Sequence, residues 1–156
     1  MSESSKSAAA YQKVWTKEGS PLMVHSVNLA QKVQAKLGPE IHVALGMRYG
    51  NPSMEKVLGE MRLKNYDQII IFPLYPQYAA ATTATVCDEV YRNLMKMRWQ
   101  PSLQIIPHYE SEPLYIDALI NSIKKKMLKI KWKPDLIIAS YHGIPKEYFD
   151  KGDPYQ

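Results

Sequence analysis

Gln68-Ile-Ile-Ile-Phe-Pro-Leu74 is the stretch that decides the fold. A short apolar run led by three β-branched residues, with a proline inside it, is no helix. It reads as a strand buried on both faces, which is the signature of a parallel sheet. Working outward, Ile41-His-Val-Ala-Leu-Gly-Met47 lies before it, and Leu103-Gln-Ile-Ile-Pro107 and Asp135-Leu-Ile-Ile-Ala-Ser140 lie after it, with the same character. Strands are therefore expected near 41–47, 68–74, 102–107 and 135–140.

The segments between these runs have helical period. Ser20-Pro21 sets a capping residue before a proline at the first helical position. Leu22, Leu29, Val33 and Leu37 then share a face before Gly38 ends the helix. Ser53 opens a second helix, with Met54, Val57, Leu58 and Met61 at i, i+3, i+4 and i+7. A third runs from about Thr83 to Met97 with Val86, Val90, Leu94 and Met97 in line, and a fourth follows Pro113 with Tyr115, Leu119, Ile123 and Met127 stacked. Strand–helix–strand units in this order predict an α/β fold: a parallel sheet with flanking crossover helices. The chain opens on helices and closes on Lys151-Gly-Asp-Pro-Tyr-Gln156, a loop with no clear helix before it. The expectation is a fragment incomplete at both ends, lacking a strand before Met1 and structure after Gln156.

Length and composition bound the function. The chain has 156 residues, of which 46% are hydrophobic and 22% charged, enough for one globular domain or part of a larger one. The longest uninterrupted apolar run, from Ile69 to Tyr75, falls far short of the roughly 20 residues that span a bilayer. The polar start, Met1-Ser-Glu-Ser-Ser-Lys-Ser7, has no signal-peptide core. One cysteine, Cys87, excludes a disulfide framework or a cysteine-built metal site within this chain. A cytoplasmic location is expected by default.

The net charge of +5 is local: six lysines (Lys124, Lys125, Lys126, Lys129, Lys131 and Lys133) fall in 121–133, and without them fourteen basic residues face fifteen acids. A run of lysines without interleaved arginine reads as a solvated helix face rather than a nucleic-acid surface. It leaves a peripheral contact with an anionic membrane open.

In open α/β sheets the ligand crevice lies beyond the carboxyl ends of the strands. The residues there are Arg48-Tyr49-Gly50-Asn51-Pro52, Tyr75-Pro76-Gln77-Tyr78 with the turn Ala79-Ala-Ala-Thr-Thr-Ala-Thr85, His108-Tyr109-Glu110, and Ser140-Tyr141-His142-Gly143-Ile144-Pro145. No glycine-rich phosphate loop occurs. Such a rim suits a large, flat, mostly apolar ligand with a few anionic groups: tyrosines as walls, Arg48 for an anion, and a histidine for proton chemistry. His142 stands out because Gly143 permits a sharp turn and Pro145 stiffens its exit. Each has a plainer alternative. His142 and His108 could simply hydrogen-bond a loop, Arg48 could pair with Glu55 or a carbonyl, and the 82–85 threonines could cap a helix.

Five motifs, in order along the chain, resemble the ferrochelatase family. Leu74-Tyr-Pro-Gln-Tyr-Ala-Ala-Ala-Thr-Thr-Ala-Thr85 is similar to its LYPQYSxxTTGS signature, and Ser140-Tyr-His-Gly-Ile-Pro145 to its SxHGxP active-site motif. Met47-Arg-Tyr-Gly-Asn-Pro52 resembles its MRYGNP segment. Lys6-Ser-Ala-Ala-Ala-Tyr-Gln-Lys-Val-Trp15 with Gly19-Ser-Pro-Leu22 resembles its early helical region, and Tyr148-Phe-Asp-Lys-Gly-Asp-Pro-Tyr155 the bacterial members.

The resemblance implies one of two similar Rossmann-like halves facing each other across a porphyrin cleft, so that 1–156 is mostly the first chelatase-like half. It implies insertion of ferrous iron into protoporphyrin IX or coproporphyrin III in the final steps of haem biosynthesis. His142 becomes the catalytic residue and metal ligand, or the acceptor of pyrrole protons, and Arg48, Tyr49 and Tyr75 become porphyrin-binding residues. Tyr109, on the same rim, completes that set. Porphyrin and Fe²⁺ are substrates, with no resident cofactor expected; the lone cysteine carries no information on the iron–sulfur cluster that some members hold. Where the signature has Ser and Gly this chain has Ala79 and Ala84, and the family's acidic catalytic partner belongs to a second half not present here. The isolated chain is therefore expected to be inactive. The alternatives are a related chelatase for another metal or tetrapyrrole, or a truncated relative that binds porphyrin without catalysis.

Overall fold

The computed structural model describes residues 8, 9 and 11–155. The polar start at 1–7, and with it Lys6 and Ser7 of the first motif, lies outside the described residues, as does Ala10. The chain divides into two compact units, Met1–Val57 and Leu58–Gln156.

In the first unit, helix α1 spans Pro21–Leu37. Its ends follow the sequence signals: the Ser20 hydroxyl accepts from the Met23 amide at 3.2 Å, Pro21 fills the first position, and Gly38 closes the helix at φ 78°. The stripe of Leu22, Leu29, Val33 and Leu37, expected to face a core, is exposed, and the buried position on α1 is Ser26.

The expected strand at 41–47 is not one. Among the described residues it has no neighbouring strand, and a side chain takes that place. The Gln34 amide donates to the Ile41 carbonyl and accepts from the Val43 N–H, both at 2.8 Å, which are the two groups a ladder partner would engage. Only Met47 forms a bridge, to Ser53, across a tight loop. Helix α2, Met54–Leu63, begins after Ser53, whose hydroxyl accepts from the Lys56 amide. Met54 and Val57 on its first turn are buried.

The second unit holds the sheet. Strand β1, Gln68–Ile71, pairs in parallel with β2, Ser102–Ile105, with Ile69 opposite Leu103 and Ile71 opposite Ile105. β1 stops before Pro73, which cannot donate to a ladder. Between the strands, a π-helical turn at Ala80–Ala84 runs into helix α3, Thr85–Leu94. The expected stripe on α3 is the core of this unit: Val86, Val90 and Leu94 are buried with Leu58 and Ile69. Helix α4, Pro113–Met127, follows β2, and a short helix α5, Lys146–Asp150, precedes the closing loop.

Two further expectations fail here. The segment 135–140 forms no strand, and its Leu136, Ile137 and Ile138 side chains face solvent because no strand lies alongside. The lysine run is only half on a helix: Lys124, Lys125 and Lys126 end α4, whereas Lys129, Lys131 and Lys133 lie beyond it. α5 was not legible as a helix. Its i,i+4 pairs, Lys146 with Asp150 and Lys151 with Glu147, support a turn too short to leave an apolar pattern. The class stands: a small parallel sheet with flanking helices.

Candidate functional site

Arg48 and Tyr49 belong to the first unit. The loop that presents them is closed by the Met47 amide donating to the Pro52 carbonyl at 2.8 Å. Gly50 takes φ 92°, a left-handed conformation that disfavours side chains. Gly46 sits so close to Met54 that a Cβ there would meet its sulfur at 3.2 Å. The Arg48 guanidinium lies over the Tyr49 ring at 4.5 Å, while the far side of that ring is open to solvent. A cation stacked on an exposed aromatic ring offers a planar surface beside a fixed positive charge.

The remaining expected residues lie in the second unit. Tyr109 follows β2, and its ring stacks on Phe72 with centroids 4.9 Å apart and planes at 26°. Its amide donates to the Pro76 carbonyl at 2.8 Å, joining the loops after both strands. Burial raises the pKa of its phenol, and the neighbouring Tyr115 raises it further. Tyr75 is 40% exposed. His108 bonds through Nδ1 to the Glu110 carboxylate at 3.0 Å, so this histidine is occupied by its own loop.

His142 is exposed, and its Nδ1 lies 2.7 Å from the Gly143 carbonyl oxygen. A carbonyl oxygen can only accept, so Nδ1 carries the hydrogen and Nε2 keeps the lone pair. The loop reading of His142 and its chemical reading are thus compatible, because tying one nitrogen makes the other a defined base or ligand.

A cavity of about 360 Å³ opens in this unit. Gln77 and Tyr78 line it from the loop after β1, His108 and Glu110 from the loop after β2, and Tyr141, Pro154 and Tyr155 from the last third of the chain. Each expected residue of the unit is a near neighbour of a lining residue: Tyr75 of Gln77, Tyr109 of His108 and Glu110, His142 of Tyr141. The strand-end rule named these loops and, in them, Gln77, Tyr78, His108, Glu110 and Tyr141; Pro154 and Tyr155 lie outside it.

The threonines of 82–85 do not cap a helix. Thr82 donates back to the Ala79 carbonyl at 3.2 Å and Thr85 to Thr82 at 2.9 Å, and Thr83, wholly buried, makes no side-chain hydrogen bond among the described residues. The acceptor at the start of the turn is Asp153, which sequence reasoning missed. Its carboxylate takes the Ala80 amide at 2.7 Å and the Tyr155 amide at 3.0 Å. The Lys-Gly-Asp-Pro-Tyr stretch was the one available signal, and it assigned Asp153 no partner.

Metal chemistry has few protein ligands here. Among the described residues no group of three or more His, Cys, Asp or Glu could hold a metal ion. Burial, then the charge of Asp88, pushes the Cys87 thiol up, so it stays protonated near neutral pH and is a poor ligand. No helix among the described residues is long and apolar enough to cross a membrane.

Comparison with known proteins agrees with the motifs. The family model described as Ferrochelatase matches residues 1–156. The chain is 45% identical over 155 residues to the ferrochelatase of Brucella anthropi, covering 97% of this chain and 44% of that protein. It is 46% identical over 154 residues to the ferrochelatase of Rhizobium meliloti, covering 96% and 45%. It is 47% identical over 152 residues to that of Francisella tularensis subsp. novicida, again covering 96% and 45%. The chain thus spans a little under half the length of these curated relatives. With the motifs in order along the whole sequence and the match unbroken from end to end, this chain belongs to the ferrochelatase family.

Proposed function

We propose that this chain supplies the histidine-bearing half of an enzyme that inserts ferrous iron into protoporphyrin IX or coproporphyrin III, at the end of haem biosynthesis. The 156 residues alone are inactive in this reading, because the acidic partner that would carry protons away belongs to a second half. The observation that carries the proposal is the His142–Gly143 contact, which leaves the Nε2 lone pair directed by a short, fixed loop.

Metal insertion requires two pyrrole N–H protons to leave and the nitrogen lone pairs to become accessible. His142 takes a proton through Nε2, or holds the incoming iron through the same atom. Arg48 pairs with a porphyrin carboxylate, and Tyr49, Tyr75 and Tyr109 supply aromatic walls. Iron enters as a substrate, and no resident cofactor takes part. The protein works in the cytoplasm and makes no contact with nucleic acid. Lys124, Lys125 and Lys126, exposed at the end of α4, provide a peripheral contact with anionic lipid.

The test is iron or zinc insertion measured by loss of free-porphyrin fluorescence, with this chain alone and with a second ferrochelatase half supplied. Insertion only in the mixture supports the proposal. Porphyrin binding without insertion in either arm favours the second reading, a porphyrin-binding relative without catalysis, which the coverage of under half of each relative motivates. Insertion of another metal in preference to iron would assign a related chelatase instead.

A further inference from the structure

We propose that Asp153 is a positioning residue that ties the last segment of the chain to the Ala80–Ala84 turn and so sets the walls of the cavity. This rests on the reading above, that the loops around the cavity meet a porphyrin. The first N–H groups of any helical turn lack partners within it. Ala79, extended and buried at the start of this turn, has no side-chain oxygen to offer them. Asp153 provides the acceptor from 73 residues away, at 2.7 Å.

Both oxygens of its side chain are engaged. Only 8% exposed, it gives one carboxylate oxygen to Ala80 and the other to the Tyr155 amide, while its own amide donates to the Tyr148 carbonyl. Hydrogen bonds to a carboxylate are short and strong, and these are partly shielded from water because Asp153 is buried. The position matters more than the strength. Tyr78 lies just before Ala80, and Pro154 and Tyr155 follow Asp153 directly, so this bond joins two walls of the cavity at their bases. The Tyr109 amide bond to Pro76 joins the third. Asp153 itself does not line the cavity although its neighbours Pro154 and Tyr155 do, which makes it an organiser rather than a participant.

The experiment compares the 156-residue chain with Asp153→Ala, Asp153→Asn and, as a control, Val90→Ala, which removes fully buried packing in the same unit without touching the cavity. Two quantities are read: amide exchange at Tyr78, Ala80 and Tyr155 by NMR, and deuteroporphyrin affinity from the Soret band. In Asp153→Ala, exchange at all three amides accelerates and affinity falls about tenfold or more. Asp153→Asn, which keeps one acceptor oxygen, recovers part of both. Val90→Ala lowers the melting temperature yet leaves the affinity of the folded protein within about twofold. Unchanged affinity in Asp153→Ala, or an equal loss in Val90→Ala, overturns the proposal. If the unaltered chain alone binds no porphyrin, the ring needs the second half to be held, and the insertion assay on the mixture decides the functional reading separately. The tie is then supported by faster exchange in Asp153→Ala and overturned by exchange that does not change.

Discussion

The ring of Tyr115, on the first turn of α4, stands edge-on to Tyr109, with centroids 5.4 Å apart and planes at 88°. Because Tyr109 also stacks on Phe72, just past the end of β1, it is held between that residue and α4 by two aromatic contacts of different geometry, each favoured by the ring quadrupole. This is how a rim residue comes to be ordered although its sequence neighbours, His108 and Glu110, face the cavity.

That setting has a titration consequence. Burial first, and Tyr115 second, place the folded pKa of Tyr109 above its ordinary value of 10.0. A group whose folded pKa is raised contributes stability that is fully present below the unfolded pKa and is lost as pH rises through the folded one. Stability should therefore decline above pH 10, and less steeply in Tyr109→Phe. Absorbance at 295 nm should show one late-titrating phenol that disappears in this variant. Identical alkaline curves for the two proteins would contradict the assignment.

Replacing Gln34 by Leu should cost about 0.5–1.5 kcal/mol, because the Ile41 carbonyl and the Val43 amide lose their partner together and turn to water. Urea denaturation reads the stability, and hydrogen exchange at Val43 reads the cause. Unaltered exchange at Val43 would show that this bond does not hold the segment.

In an enzyme of full family length carrying this sequence as its first half, His142→Ala should abolish metal insertion and leave the melting temperature nearly unchanged, because the side chain is exposed and its hydrogen bond is to its own loop. Porphyrin binding should weaken little. His142→Asn should be as inactive as alanine if Nε2 acts as a base. His142→Cys should keep some activity if it acts as a ligand, since a thiolate still binds divalent metal. Near-normal turnover in the alanine variant would return His142 to a loop-fastening role.

Expressed alone, the chain should self-associate. Leu136, Ile137 and Ile138 are consecutive and mostly exposed, Leu22, Leu29, Val33 and Leu37 on α1 are exposed as well, and uncovered apolar side chains of this kind promote association. Light scattering on the eluting peak of a sizing column checks this. A stable monomer at high concentration would sink it.

Changing Lys124, Lys125 and Lys126 to Gln should leave insertion by the full-length enzyme unaffected while lowering sedimentation with phosphatidylserine vesicles. The loss should match what high salt does to the unaltered protein, since exposed charges are screened within about 10 Å at 0.1 M salt. Vesicle binding indifferent to both would remove the lysines from any membrane role.

What could be read from the sequence follows the range of the forces involved. Ser20, Gly38 and Ser53 were legible because a cap acts on amides a few residues away, and the α3 stripe because its period repeats locally. Strand character at 68–71 and 102–105 came true where the two runs found each other. The same apolar character at 41–47 and 135–140 did not, since a strand is a relation between segments and the run itself carries no record of its partner. The candidate site divides in the same way. His142 and its loop were visible as a motif, and Gln77, Tyr78 and Glu110 as residues that follow the strands, whereas Asp153 bonds across a distance no local pattern encodes.

The span between Asp153 and Ala80 also fixes an order of events during synthesis. A contact closing so long a loop forms late, because its entropy cost must be met after the local helices and the strand pair are in place. On a ribosome the turn at Ala80–Ala84 emerges with its first amide unsatisfied and stays so until nearly the last residue of this sequence has been added. A nascent chain halted between Ile105 and Asp153 would have its strand pair and α3 but not the cavity, and it would offer quality-control proteases an open turn.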